Sequence, residues 1–209
     1  MTTVTDHNKF FKRSDFDLLY PDARAVLEFW FNPANEPYWF VQDDSFDQKI
    51  DDKFADLWEQ ACQGELSFWR RGESNKPNAL EDLAGRLAEI IVLDQFSRNL
   101  CRNQACSFTQ DSMSVVLAQE AIKQSQFDML PMEWRRFTIM PFMHSESLSI
   151  HQRYLPLFEQ LNDESTLNFE HKHRAIIERF GRYPHRNEIL GRQSTAEELA
   201  FLEQPDSSF

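Results

Sequence analysis

The stretch Arg179-Phe180-Gly181-Arg182-Tyr183-Pro184-His185-Arg186-Asn187 packs three arginines and a histidine into a chain whose formal net charge is -12. From His171 to Arg192 six Lys or Arg stand against two Glu, a local excess of +4, so the remaining residues sum to -16. Such a reversal of sign requires internal carboxylate partners or an anionic ligand. Pro184 reads as the first residue of a short helix through Leu190, whose free N–H groups and positive dipole end would lie beside Arg182, His185 and Arg186. That geometry suits a phosphate or carboxylate, which arginine forks grip in bidentate fashion. The competing reading pairs these arginines with internal acids, chiefly Asp94 and Glu146, and makes them ties between helices.

Two further groups carry chemistry. Asp94 follows Leu87 by seven residues and Ile90 by four, so it projects from an apolar stripe, and Arg98 four residues on shares its face. His144-Ser145-Glu146 joins an imidazole to a carboxylate beside Pro141, a combination that serves acid–base chemistry or helix capping. The candidate ligand site is therefore Asp94, Arg98, Asn99, His144, Glu146, Arg179, Arg182, His185, Arg186 and Asn187, with His144, Glu146 and His185 as catalytic candidates. Glu170-His171-Lys172-His173 holds a single Glu-x-x-His, whereas a di-iron bundle needs two, so no metal and no cofactor is expected. His173 reads as a hydrogen-bonded core histidine.

These residues must be positioned by helices. Gly is scarce at 5 while Phe reaches 19 and Trp 5, which leaves few tight hairpins and many rings to bury. Pro21 and Asp22 open a helix to Phe31, and Asp43 or Asp44 opens another carrying Phe46, Ile50, Phe54, Leu57, Trp58 and Ala61 toward Gly64. Asn78 with Glu81 is a capping-box pattern for a central helix to about Asn99, apolar on most sides in its second half. Asp111 is placed to cap the next helix, through about Gln124. Pro131 starts another that Pro141 should break or kink, and Pro156 should kink or shorten the one after Ser145. Ser165 or Thr166 opens a helix that Gly181 terminates in the left-handed region, and Ser194 with Glu197 caps the last one.

The expectation is an all-α protein of about eight to ten antiparallel helices, with residues 1–20 as a tail that docks by Phe10, Phe11 and Phe16 or is mobile, and residues 21–209 as a single helical domain. Cys62, Cys101 and Cys106 are odd in number and lack C-x-x-C spacing, which suits reduced thiols and a cytoplasmic address. Cys101, near Arg98 and Arg102, is read as a buried or inert thiol. The acidic balance disfavours nucleic acid and anionic membrane, and no apolar run reaches 18 residues. Expected partners are a small anionic metabolite or a peptide carboxylate, with a protein partner possible.

Four stretches taken jointly, Val26–Phe31, Leu93–Asn99, Pro141–Glu146 and Arg179–Asn187 followed by Gly191-Arg192-Gln193-Ser194-Thr195, resemble the bacterial domain of unknown function 924 family. The sequence departs from its pattern at Ser97, where the family has Pro, and at Cys101, where it has an aromatic residue. The resemblance implies a TPR-like stack of helix pairs and no established activity. No 34-residue repeat is present, so peptide binding in a concave groove does not follow. The leading functional reading is a binding or interaction module with an Arg/His/Asp pocket. The alternatives are an enzyme acting on an anionic metabolite by His/Glu acid–base chemistry, and a scaffold whose charged cluster is purely structural.

Overall fold

The computed structural model describes residues 19–70, 79–205 and 207–208. The tail with Phe10, Phe11 and Phe16, and the capping residue Asn78, lie outside them. Nine α-helices and no strand occur among the described residues: α1 (Pro21–Trp30), α2 (Asp44–Cys62), α3 (Ala79–Ile90), α4 (Ser97–Leu100), α5 (Asp111–Ala121), α6 (Met132–His144), α7 (Leu148–Gln160), α8 (Glu164–Phe180) and α9 (Ala196–Leu202). None is long and apolar enough to cross a membrane.

The centre of the fold is α3, which packs against α1, α5 and α6. It continues through a π-helical turn, Ile91–Phe96, into α4. Leu87, Ile90, Ile91, Val92, Leu93 and Phe96 are all fully buried, as an all-round apolar helix requires. The wider π turn rotates the residues after Ile90 relative to an unbroken α-helix. Gly85 lets α3 touch the 3-10 turn Ser67–Arg70, because an added Cβ would lie 1.8 Å from the Trp69 carbonyl oxygen. Aromatic rings join the remaining layers: Trp30 meets Phe137 edge-on at 5.4 Å, Phe31 stacks on Trp134 at 5.3 Å, and Phe142 stacks on Tyr154 at 3.9 Å.

Several boundaries differ from expectation. Asp43 caps α2 by accepting from the Phe46 N–H at 2.8 Å, as the sequence predicts. Asp111 caps nothing; it is the first residue of α5, which ends at Ala121, and its carboxylate is used elsewhere. Pro141 does not break α6. A proline inside a helix costs about 3 kcal/mol. Burial of Trp134, Phe137, Met140, Phe142 and Met143 on that helix outweighs it at about 1.5–3 kcal/mol each. Pro156 likewise leaves α7 intact to Gln160. Asp163, rather than Ser165 or Thr166, caps α8, and Gly181 ends it at φ 70°. The final capping box lies one residue later than read, on Thr195 and Glu198. Both registers satisfy the pattern; Arg182 chooses Glu198, and Ser194 is taken by Asn187.

The three cysteines are not all free thiols. Cys101 and Cys106 form a disulfide across a turn in which Asn103 adopts φ 59°, bringing their Cα atoms to 5.6 Å, and Cys62 remains free. Close approach at a left-handed residue, which no spacing rule anticipates, replaces the expected inert thiol at Cys101.

Candidate functional site

Asp94 sits on the π turn with no solvent exposure. Its Oδ1 accepts from His144 Nδ1 at 2.8 Å, and its Oδ2 accepts from Gln95. Arg98 Nη1 lies 3.1 Å from the same Oδ1 and donates to the Asp94 backbone oxygen at 2.6 Å. The helix thus delivers the i,i+4 pair, and the end of α6 delivers the imidazole.

A residue outside the predicted set completes the centre. Asp111 accepts from Arg98 Nη2 at 3.0 Å through Oδ1 and from Arg186 Nη1 at 2.9 Å through Oδ2. Arg186 Nη2 donates to the His144 carbonyl at 3.1 Å, and its guanidinium stacks over Phe108 at 4.4 Å and Tyr183 at 4.5 Å. Two arginines and two aspartates therefore share one compact cluster with no net charge. The donors are not exhausted, since the buried Arg186 Nε has no acceptor.

The other predicted residues fall into separate groups. Glu146 receives the Tyr183 N–H at 2.7 Å and a two-pronged contact from Arg192 at 2.6 and 2.9 Å. Asn187 supports Arg192, accepting from its Nε at 2.9 Å. Arg182 grips Glu198 at 2.6 and 2.9 Å, while Arg179 pairs with Glu197 at 2.8 Å on the surface. Asn99 turns away to Asp47 on α2. His185 lies beside Tyr183, ring centroids 5.5 Å apart, with its buried Nδ1 unpartnered.

This corrects the expected anion grip. The turn after Pro184 is a three-residue 3-10 helix rather than a helix to Leu190, and the Tyr183 N–H that would face an anion already serves Glu146. Of the two acids expected to partner the basic region, Glu146 does so, through the Tyr183 N–H and Arg192, whereas Asp94 does not; Glu197, Glu198 and Asp111 take Arg179, Arg182 and Arg186. Arg192, within the stretch after Gly191, and Tyr183, inside the motif, were legible as neighbours of the site. So were His151, three residues after Leu148 and seven before Phe158, and Glu170, three before His173. His151 Nδ1 lies 2.8 Å from Glu170 Oε1, its Nε2 bonds the Ser145 carbonyl at 2.9 Å, and Tyr183 donates to the Met143 carbonyl at 2.6 Å.

The electrostatics follow from burial. Burial alone would raise the Asp94 carboxyl, but Arg98 and His144 outweigh it and hold it well below the usual carboxylate range. Burial and then the Arg98 charge lower His144 despite Asp94, so the dyad is a carboxylate with a neutral imidazole. Its Nδ1–H faces Asp94, and its Nε2 has no protein partner among the described residues. Burial lowers His173 to about 3 and, with Arg186, His185 to about 4. Burial raises the Tyr183 hydroxyl. His173 is the core histidine expected, its Nδ1 bonding the Phe169 carbonyl at 2.8 Å.

Histidines kept neutral in the fold but protonated in the unfolded chain cost stability as pH falls. The loss begins at the ordinary histidine value of about 6.5 and, for His185, continues to about 4. Each such histidine contributes a slope of up to about 1.4 kcal/mol per pH unit in that window. Urea unfolding should show stability dropping between pH 6.5 and 5, above the range where Asp94 protonation adds its own loss. A flat profile there would contradict the neutral assignment.

The model of the family described as bacterial protein of unknown function, DUF924, matches residues 26–206. This chain belongs to that family. The DUF924 chain is also similar to a solved structure of a protein of unknown function from Agrobacterium tumefaciens, with 35% sequence identity and a TM-score of 0.77 over 87% of this chain and 96% of that one. No curated protein matches it.

Proposed function

We propose that this protein is a binding module of TPR-like layout in which the Asp94–His144 dyad, rather than the basic stretch, receives the ligand. The observation that carries the reading is an imidazole whose Nε2 has no partner among the described residues and whose other nitrogen is tied to a buried carboxylate at 2.8 Å. Such a tie fixes ring and tautomer, so Nε2 presents a directed acceptor to a hydroxyl or N–H. Because Arg98 and Arg186 are already balanced by Asp94 and Asp111, a fully charged anion finds no surplus charge there. A protonated acid or another neutral donor fits better than a bare carboxylate. The same dyad also favours a second reading, general-base catalysis on a ligand proton.

The test is ligand-observed NMR of a metabolite panel against the wild-type protein, His144→Ala and Arg179→Ala. Arg179 is an exposed surface partner of Glu197 and serves as the control. Compounds that bind should lose about tenfold or more in affinity in His144→Ala, the equivalent of one 1.4 kcal/mol interaction, and bind normally in Arg179→Ala. Equal affinity in all three proteins would remove the dyad from the site. Turnover of a bound compound that disappears in His144→Ala would select the catalytic reading.

A further inference from the structure

Ser67, Phe68, Arg70, Arg86 and Glu120 line an open cavity of about 690 Å³. Its two arginines are unlike. Arg70 is spent on Glu89, donating through Nε and Nη2 at 2.8 and 2.7 Å to a carboxylate without solvent exposure. Arg86 has no ion pair or hydrogen bond among the described residues, and its buried Nε has no acceptor. Glu120 across the cavity is engaged by Lys123 at 2.9 Å. A guanidinium without a carboxylate partner is notable in a chain of net charge -12. Burial and the neighbouring Arg70 both act against its charge.

The surroundings define what would satisfy it. Phe68 is 47% exposed at the rim and is held edge-on against Tyr20 at 4.7 Å, which offers an apolar wall. Gly85 brings α3 into direct contact with the backbone of Trp69, between the lining residues Phe68 and Arg70. Glu120, Asp82 and Glu89 lie close enough to act on Arg86, so the local field tolerates one added negative charge better than two. We propose that this cavity binds a small monocarboxylate with an apolar body, the carboxylate on Arg86 and the body against Phe68. A planar carboxylate matches the guanidinium fork, whereas a phosphate dianion meets the flanking acids. The site is independent of the Asp94–His144 dyad.

The test is titration of the full-length protein with 3-phenylpropionate, acetate and inorganic phosphate, followed by two-dimensional NMR of the backbone amides. 3-Phenylpropionate should bind about fivefold or more tightly than either other probe, and shift amides of the Ser67–Arg70 turn and of α3 near Arg86. Arg86→Gln, which removes a half-buried cation that makes no hydrogen bond among the described residues and should keep about the wild-type melting temperature, should weaken binding about tenfold or more. His144→Ala should bind the probe normally. Tighter binding of phosphate, unchanged affinity in folded Arg86→Gln, or no shift at these amides with any probe would overturn the proposal.

Discussion

Asp111→Ala is expected to destabilise the protein by about 3–5 kcal/mol, the usual consequence of removing one partner from a buried ion pair. Asp111 is shared: one oxygen serves Arg98 and the other serves Arg186. Arg98 keeps Asp94 after the substitution, but Arg186, whose side chain is 6% exposed, keeps only the His144 carbonyl. The main cost is therefore an uncompensated Arg186 held between Phe108 and Tyr183. For a domain of this size the loss corresponds to a fall in melting temperature of roughly 6–20 °C. Asp111→Asn should fall between the two, since it preserves an acceptor but not the charge. Arg179→Ala, which breaks a pair whose side chains are 46% and 65% exposed, should change stability by about 0–1 kcal/mol. Denaturant unfolding of the three variants separates these outcomes, and an Asp111→Ala loss below that of Arg179→Ala would show that the shared carboxylate does not hold the centre together.

Gly85→Ala is expected to reverse the usual helix preference. In an exposed helix the change would favour folding by about 1 kcal/mol. Here the new Cβ would lie 1.8 Å from the Trp69 carbonyl oxygen and 2.7 Å from its carbonyl carbon. Both atoms are backbone, so no side-chain rotation relieves the overlap, and α3 and the Ser67–Arg70 turn must separate. Trp69 is buried in the main core, so the separation also opens the packing beneath it. A loss of about 3 kcal/mol or more is expected, at the upper end of overpacking effects. Urea unfolding gives the number, and a variant as stable as wild type would mean that the turn moves away at no cost.

These two residues mark where the sequence was legible and where it was not. Helix identity and the burial of Asp94 followed from spacing, because an apolar stripe with an acid at i+4 and i+7 has one inward direction. The i,i+4 partner Arg98 followed for the same reason. Asp111 was read as a helix cap, since an acid at the start of a helix has a local use that requires no distant partner. Its actual partners lie 13 and 75 residues away, a pairing that no local pattern encodes. The break offered at Pro141 and the early end offered at Pro156 do not occur; at Pro141 the local cost was weighed without the burial that offsets it. The charge reversal of the basic stretch was legible, but not its partners, since its arginines divide among three acids contributed by α5 and α9. Gly85 gave no signal at all, since a glycine in a helix declares its purpose only when the opposing backbone is known.

The central claim is that the DUF924 chain holds His144 neutral, with Nδ1–H committed to Asp94 and Nε2 available. Nitrogen-15 NMR of the labelled imidazoles measures this directly. At pH 7 the His144 signals should be those of a neutral ring protonated at Nδ1, and the ring should take up its second proton only at a pH below that of an ordinary histidine. The Asp94→Asn variant should lose the tautomer preference. A His144 ring that is doubly protonated at pH 7, or neutral with its proton on Nε2, would contradict the account.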